Sequence, residues 1–440
     1  IMRDMYEDAG EFTTNMLNKF WDINYEDSEN YNDVLKFLNQ AENFRTFNDG
    51  LTEFIKKHGY IEEDGLDEKT SIKQRTDFLY NKFKEQNISI SKATLENYFS
   101  GETRPDTKKA NRTNVFKLCF SMGLNLEETN DFFTKIYLDR TFNVKNVHEL
   151  VYYFCIKNNK NYTYATDLIE KAEELLNNNS SKNTDSQVYT SSIREETDFF
   201  TTEEELMRYI ENNKDSFNRY NVTAVEQFNK LLNRIQGSKE DRDFINKLKK
   251  SKRYKNITSE DEQHLKHCGL VIQDAIKQNI IFDTDTISEY TANKDVSSID
   301  FMLFVIYNSP LPIGIEKTYS FANNAHLLKL IKSNFPSKHI FSKIKKDPLF
   351  SFEALRKAII LLVFYEFCFD AEQYCESAGE YFDEFVEQMD DILTSCGMGP
   401  LYIGNPYDWL FLFCVKSHQP LSTFRGIIYE ACILEENFNI

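Results

Sequence analysis

The sequence predicts an all-α, multi-helical, two-domain protein with few or no strands, and three observations carry that expectation. Glycine (14) and proline (8) are scarce for 440 residues, which disfavours loop-rich β sandwiches and glycine-punctuated nucleotide-binding folds. Apolar residues recur at i, i+3 and i+4 along most of the chain, the spacing of one helix face. Residues suited to cap helices precede several of these runs. Asn125 with Glu128 and Thr202 with Glu205 both have the spacing of a capping box.

Taken in order, the periodicity predicts helices near 30–40, 44–57, 71–85, 91–99, 111–122, 126–137, 147–158 and 163–177. Gly123 is a natural stop for the fifth of these. A polar tract, NNNSSKNTDSQVYTSS, then lacks helical periodicity and reads as a linker over 177–192. The expected division is therefore a helical domain over 1–176, the linker, and a helical partner or oligomerisation domain over 193–440. In the carboxyl half a helix opens after Thr202. Others are expected near 222–236, 240–250, 259–277, 323–333, 352–369, 371–396, 407–416 and 422–434. Only 279–291 and 311–320 could be short strands.

Composition narrows the function classes. Fifty-two basic against 70 acidic residues give a formal charge of −18, so a surface that grips nucleic acid everywhere is excluded and any such contact must be local. The eight cysteines form no CxxC pair and sit mostly in apolar helical contexts, unlike a secreted disulfide framework, so a cytoplasmic setting is expected. The longest apolar stretch, Ile359 to Phe369, is interrupted by Glu366 and too short to span a bilayer. No membrane association is expected.

The most informative string is ISISKATLENYFSGETRP, residues 88–105, followed by TNVFKLCFSMGLNLEETNDFF, residues 113–133. Ser91 can cap a short helix on which Leu95, Tyr98 and Phe99 face inward while Lys92, Thr94 and Asn97 face out. Pro105 prevents continuation of that helix. Val115, Leu118, Cys119 and Met122 then form an apolar stripe ahead of Leu126, Phe132, Phe133 and Ile136. Between Ser71 and Leu118 there are ten Lys or Arg against five acids, a local surplus of +5.

These features resemble the lambda-repressor and Cro-like (XRE-type) helix-turn-helix family over about residues 44–137. The corresponding features are the polar-faced helix Ser91 to Phe99, the turn Gly101 to Pro105, and the step Met122-Gly123-Leu124. The resemblance implies a first helix near 44–57, a scanning helix near 71–85, and sequence-specific binding of double-stranded DNA by a bacterial or phage transcriptional regulator, with two copies pairing as a homodimer. It departs from the family at 58–70, an acidic connection longer than usual. The candidate DNA-binding residues are Ser91, Lys92, Thr94, Asn97, Arg104, Lys108, Lys109 and Arg112. Lys92, Thr94 and Asn97 are expected at base edges, and the basic residues beyond the helix at phosphates.

Other clusters have plainer readings. Residues 230–255 carry ten basic and three acidic residues, a second possible phosphate-contacting surface or a solvated face. Residues 358–415 contain eleven acids and no Lys or Arg. Within them Glu380, Glu384, Glu387 and Asp391 share one helical strip, which suits a basic protein partner, the basis of the alternative reading as a non-enzymatic interaction component in phage defence or counter-defence. Tyr402, Tyr407 and Trp409 are expected in a core. His264, His267 and Cys268 lack a second ligand cluster, so no metal is expected. GxSxG, HExxH, Walker A and GxGxxG strings are absent, and Arg140 to His148 is too widely spaced for the Arg–His pattern of helical ribonucleases. No catalytic residue and no cofactor are expected.

Overall fold

A computed structural model describes residues 11–23, 31–40, 43–44, 46–105, 109–177, 198–214, 217, 222–238, 241, 258–278, 299–307, 336–346, 351–374 and 378–436. Among the described residues there are nineteen α-helices, one π-helical segment and no strand. The all-α expectation therefore holds. The two possible strands, most of 240–250, the 323–333 helix and nearly all of the 177–192 linker lie outside the described residues. No described helix is long and apolar enough to cross a membrane.

The contacts divide the chain into two units: 44–224 with 392–405, and 1–43 with 225–391 and 406–440. This division falls elsewhere than a cut at 177–192, because the helix opened by Thr202 packs on the helix that ends at Asn177.

The first unit contains α3 (Phe47–Lys57), α4 (Glu68–Glu85), α5 (Lys92–Phe99), α6 (Lys109–Met122), α7 (Leu126–Asp131), a π segment (Phe132–Tyr137), α8 (Val147–Lys157), α9 (Tyr162–Asn177) and α10 (Glu203–Asn212). The caps form as the sequence dictates. Asn125 and Glu128 make a reciprocal capping box on α7, and Thr202 and Glu205 make one on α10. After α6 the chain turns at Gly123, and the Leu124 amide donates to the Cys119 carbonyl at 3.0 Å. A single helix expected over 126–137 is instead α7 running into the π segment. That segment buries Phe132, Phe133, Ile136 and Tyr137. The core continues through Phe116, Phe142 and Tyr152, with ring centroids of Phe116 5.3 Å and 4.8 Å from the latter two.

The second unit begins with α1 (Glu11–Asp22) and α2 (Asn32–Asn39) and resumes with α11 (Val222–Gln236), whose first residues lie in the first unit. It continues through α12 (Ser259–Leu265), α13 (Leu270–Lys277), α14 (Ile299–Tyr307), α15 (Lys338–Lys346), α16 (Phe352–Tyr374), α17 (Ala378–Ser395), α18 (Pro406–Val415) and α19 (Pro420–Glu436). Helices α1, α14 and α15 add to those the periodicity marks. The helix expected over 259–277 is broken at Gly269. Residues 359–365 of α16 and 407–415 of α18 are buried on every face, which fits apolar runs without a polar stripe. Two buried carboxylates of this unit, Asp408 and Asp274, are paired with arginines. Arg356 holds Asp408 through two bonds of 2.8 and 2.7 Å, and Asp274 accepts from the Tyr365 hydroxyl at 2.7 Å and from Arg425. Trp409 stacks between Phe37 (4.7 Å) and Phe413 (5.1 Å), and Tyr402 and Tyr407 are likewise buried.

Candidate nucleic-acid interface

Helix α5 is short and exists because both ends are defined. The Ser91 hydroxyl accepts from the Thr94 amide at 3.0 Å, satisfying one of the open amides of the first turn. At the other end, the Thr103 amide donates to the Asn97 carbonyl at 3.2 Å and carries the chain away from the helix axis. Leu95, Tyr98 and Phe99 are buried against α3 and α4. Tyr98 meets Phe47 of α3 edge-on at 5.4 Å.

The opposite face of α5 carries Lys92, Ala93 and Glu96, all exposed, with Thr94 and Asn97 half-buried beside them. Ser91 and Thr94 also share a hydroxyl contact of 2.7 Å. Lys92 forms an ion pair with Asp77 of α4, and that hydrogen bond to the carboxylate raises its pKa above the ordinary lysine value. Lys92 is therefore held at the α4–α5 junction. Glu96 adds a negative charge to the outward face.

The long connection between α3 and α4 is tied down. Tyr60 is buried and its ring lies 5.4 Å from that of Phe78. Glu62 pairs with Arg75 and Lys56, and these two bonds hold its carboxyl below the usual range. Gln74 donates to Glu63 at 3.1 Å. Asp67 caps α4 by accepting from the Thr70 amide at 2.9 Å, so α4 begins three residues earlier than its apolar periodicity suggests.

The remaining candidates separate sharply. Arg104 is exposed beyond α5. Lys109 opens α6, and its side chain, like all of Lys108, lies outside the described residues. Arg112 is a correction: it is 4% exposed and cannot reach a phosphate. Its guanidinium donates to both oxygens of Glu149 (2.7 and 3.0 Å), to Asp139 (2.7 Å), to the Arg140 carbonyl (3.0 Å) and to the Thr141 carbonyl. It also lies over the ring of Phe133 at 4.7 Å. Five N–H donors in a planar fork suit this buried junction better than a lysine would. Burial opposes its charge, but Glu149 and Asp139 outweigh that and raise its pKa.

Other members of the local basic surplus are also engaged in folding. Lys117 of α6 donates to the Ser89 carbonyl at 2.9 Å and so fixes the α4–α5 turn, with burial lowering its pKa. Arg75 is taken by Glu62. Lys84 lies over the Tyr80 ring at 4.6 Å. Among the described residues, Lys73 and Arg104 are exposed to a polyanion, as are Lys84 beside its ring and Lys92 in its pair. Asp139 and Glu149, the carboxylates that claim Arg112, sit outside the stretch over which the surplus is counted.

Comparison with known protein-family models, curated proteins and solved structures found no match to this chain.

Proposed function

We propose that the first unit binds double-stranded DNA in sequence-specific fashion through α5, as a helix-turn-helix regulator of bacterial or mobile-element origin. The observation that supports this reading is the capped helix α5, whose apolar side is anchored on α3 and α4 while Lys92, Thr94 and Asn97 lie along its other side. A helix carried in this way suits entry into a major groove, where amide and hydroxyl side chains read base edges. Arg104 supplies a charge for the flanking phosphates. The Lys92–Asp77 pair opens on binding, freeing the ammonium for an acceptor on a base edge.

Fluorescence anisotropy with a random duplex pool across a salt series, followed by sequencing of retained DNA, tests the proposal. Binding that weakens steeply with salt and enriches a motif is expected. Absence of binding at low salt removes the reading. The exposed carboxylates of α17, Glu380, Glu384, Glu387 and Asp391, with Asp383 beside them, favour a second reading, a protein-interaction module for a basic partner. In the same assay, Glu380→Gln, Glu384→Gln and Glu387→Gln should leave DNA affinity level or raised, and a fall would mean that this face does more than repel DNA.

A further inference from the structure

Three chemically different ligand groups meet in the second unit. A carboxylate oxygen of Asp241, an imidazole nitrogen of His264 and the sulfur of Cys268 all lie within 4.8 Å of one another. Asp241 and Cys268 are buried, and His264 is exposed, so the cluster opens to solvent on one side. Its framework is backbone. A Cβ added to Gly269 would stand 2.3 Å from the Gly237 nitrogen, so the two chain segments that carry the cluster touch at two glycines. Asp241 is fixed by its Oδ2, which accepts from the amides of Ser238 at 2.5 Å and Gly269 at 3.3 Å. The Asp241 side chain also takes a hydrogen bond from the Cys268 thiol, and burial together with that carboxylate pushes the thiol up to about 12, so a cation between the two replaces the shared proton.

We propose that Asp241, His264 and Cys268 form a site for a thiophilic divalent cation, with zinc the preferred metal and water at a solvent-facing fourth position. One thiolate, one imidazole and one carboxylate form a donor set that zinc accepts, whereas calcium and magnesium demand oxygen ligands. A tetrahedral zinc places its donors roughly 3.3–3.7 Å apart. The three donors, all within 4.8 Å of one another, would have to draw together by up to about 1 Å to hold such an ion. Uptake replaces the thiol proton: Cys268 binds as thiolate, the proton leaves to solvent, and no electron changes hands. The metal would then staple Asp241 to the segment between α12 and α13 that carries Cys268. This site is independent of the DNA-binding reading, which concerns the first unit alone.

The test is titration of the full-length, reduced, metal-free protein with cobalt(II), read by near-ultraviolet thiolate-to-cobalt charge transfer, with zinc as competitor. One equivalent should bind and be displaced by zinc. Cys268→Ser should abolish the charge-transfer band, His264→Ala should weaken binding at least ~10-fold, and His267→Ala should change nothing. His264 is at the surface, so its variant keeps the fold and remains decisive if Cys268→Ser does not. No stoichiometric cobalt binding, or a band untouched by both His264→Ala and Cys268→Ser, would overturn the proposal.

Discussion

Replacing Arg112 by Ala isolates the cost of the buried charge junction in the first unit. The substitution removes five hydrogen bonds and leaves Glu149 and Asp139 buried beside Arg140 alone. Breaking a buried pair from one side costs about 3–5 kcal/mol, because the surviving charges lose their compensation. For a unit of ~150–250 residues that corresponds to a melting-point loss of roughly 6–20 °C.

The pH dependence gives the sharper signature. Burial pushes the Glu149 carboxyl up from its ordinary 4.5, but Arg112 and Arg140 outweigh burial and hold it lower. A depressed carboxyl contributes stability that is present above the unfolded value and lost as pH falls through the folded value. Without Arg112 the balance reverses. Burial then raises the Glu149 carboxyl, and the variant's deficit is greatest at neutral pH and shrinks as the group protonates on acidification. Urea unfolding at about pH 7.5 and about pH 5 measures both effects. A loss below ~1 kcal/mol, or one equal at both pH values, would refute the assignment of Arg112 as the neutralising charge. Replacing Arg112 and Glu149 together by Met should recover part of the loss.

Asp408→Ala should cost about 3–5 kcal/mol in the second unit by removing the buried carboxylate that Arg356 holds, measured by the same unfolding assay. Gly50→Ala would bring a methyl to 2.6 Å from the Ile136 side chain and should cost about 1–3 kcal/mol by overpacking α3 on the π segment, read from the shift in urea midpoint. Ser91→Ala removes the cap of α5 and should cost about 1 kcal/mol, seen as a lower urea midpoint. On the DNA-binding reading, Asn97→Ala should reduce discrimination between selected and random duplexes by ~1–3 kcal/mol. Arg104→Ala should instead weaken both alike and flatten the salt slope.

What the sequence made legible was local. Capping boxes span four residues, so the starts of α7 and α10 and the Ser91 cap could be read directly, as could the inward set Leu95, Tyr98 and Phe99. What it concealed depends on partners far along the chain. Arg112 reads as one more basic residue beside a recognition helix, yet the groups that bury it come 27 and 37 positions later. The helix break is less legible, because the 259–277 periodicity runs through Gly269, which instead stands at the start of α13 with its backbone close against Gly237. Counting charge over a window failed for the same reason. Asp241 shows no sign of belonging with His264 and Cys268, since it sits in a run of basic residues.

Helix α1 makes its contacts with the far end of the chain. The Lys416 ammonium donates to the Phe20 carbonyl at 2.8 Å across 396 positions, and the Phe20 ring sits 5.9 Å from Trp409. During synthesis at ~5–20 residues per second, the ribosome needs roughly 20–80 s between making the two ends of that contact. For all of that interval the apolar side of α1, with Met16 and Phe20, has no native docking place at α18. The first unit waits similarly for residues 392–405, which are translated only after 225–391 of the other unit. Nascent chains stalled short of α18 should therefore bind holdase chaperones through residues 11–23, and release should follow synthesis of residues 406–416 rather than completion of either unit's early helices.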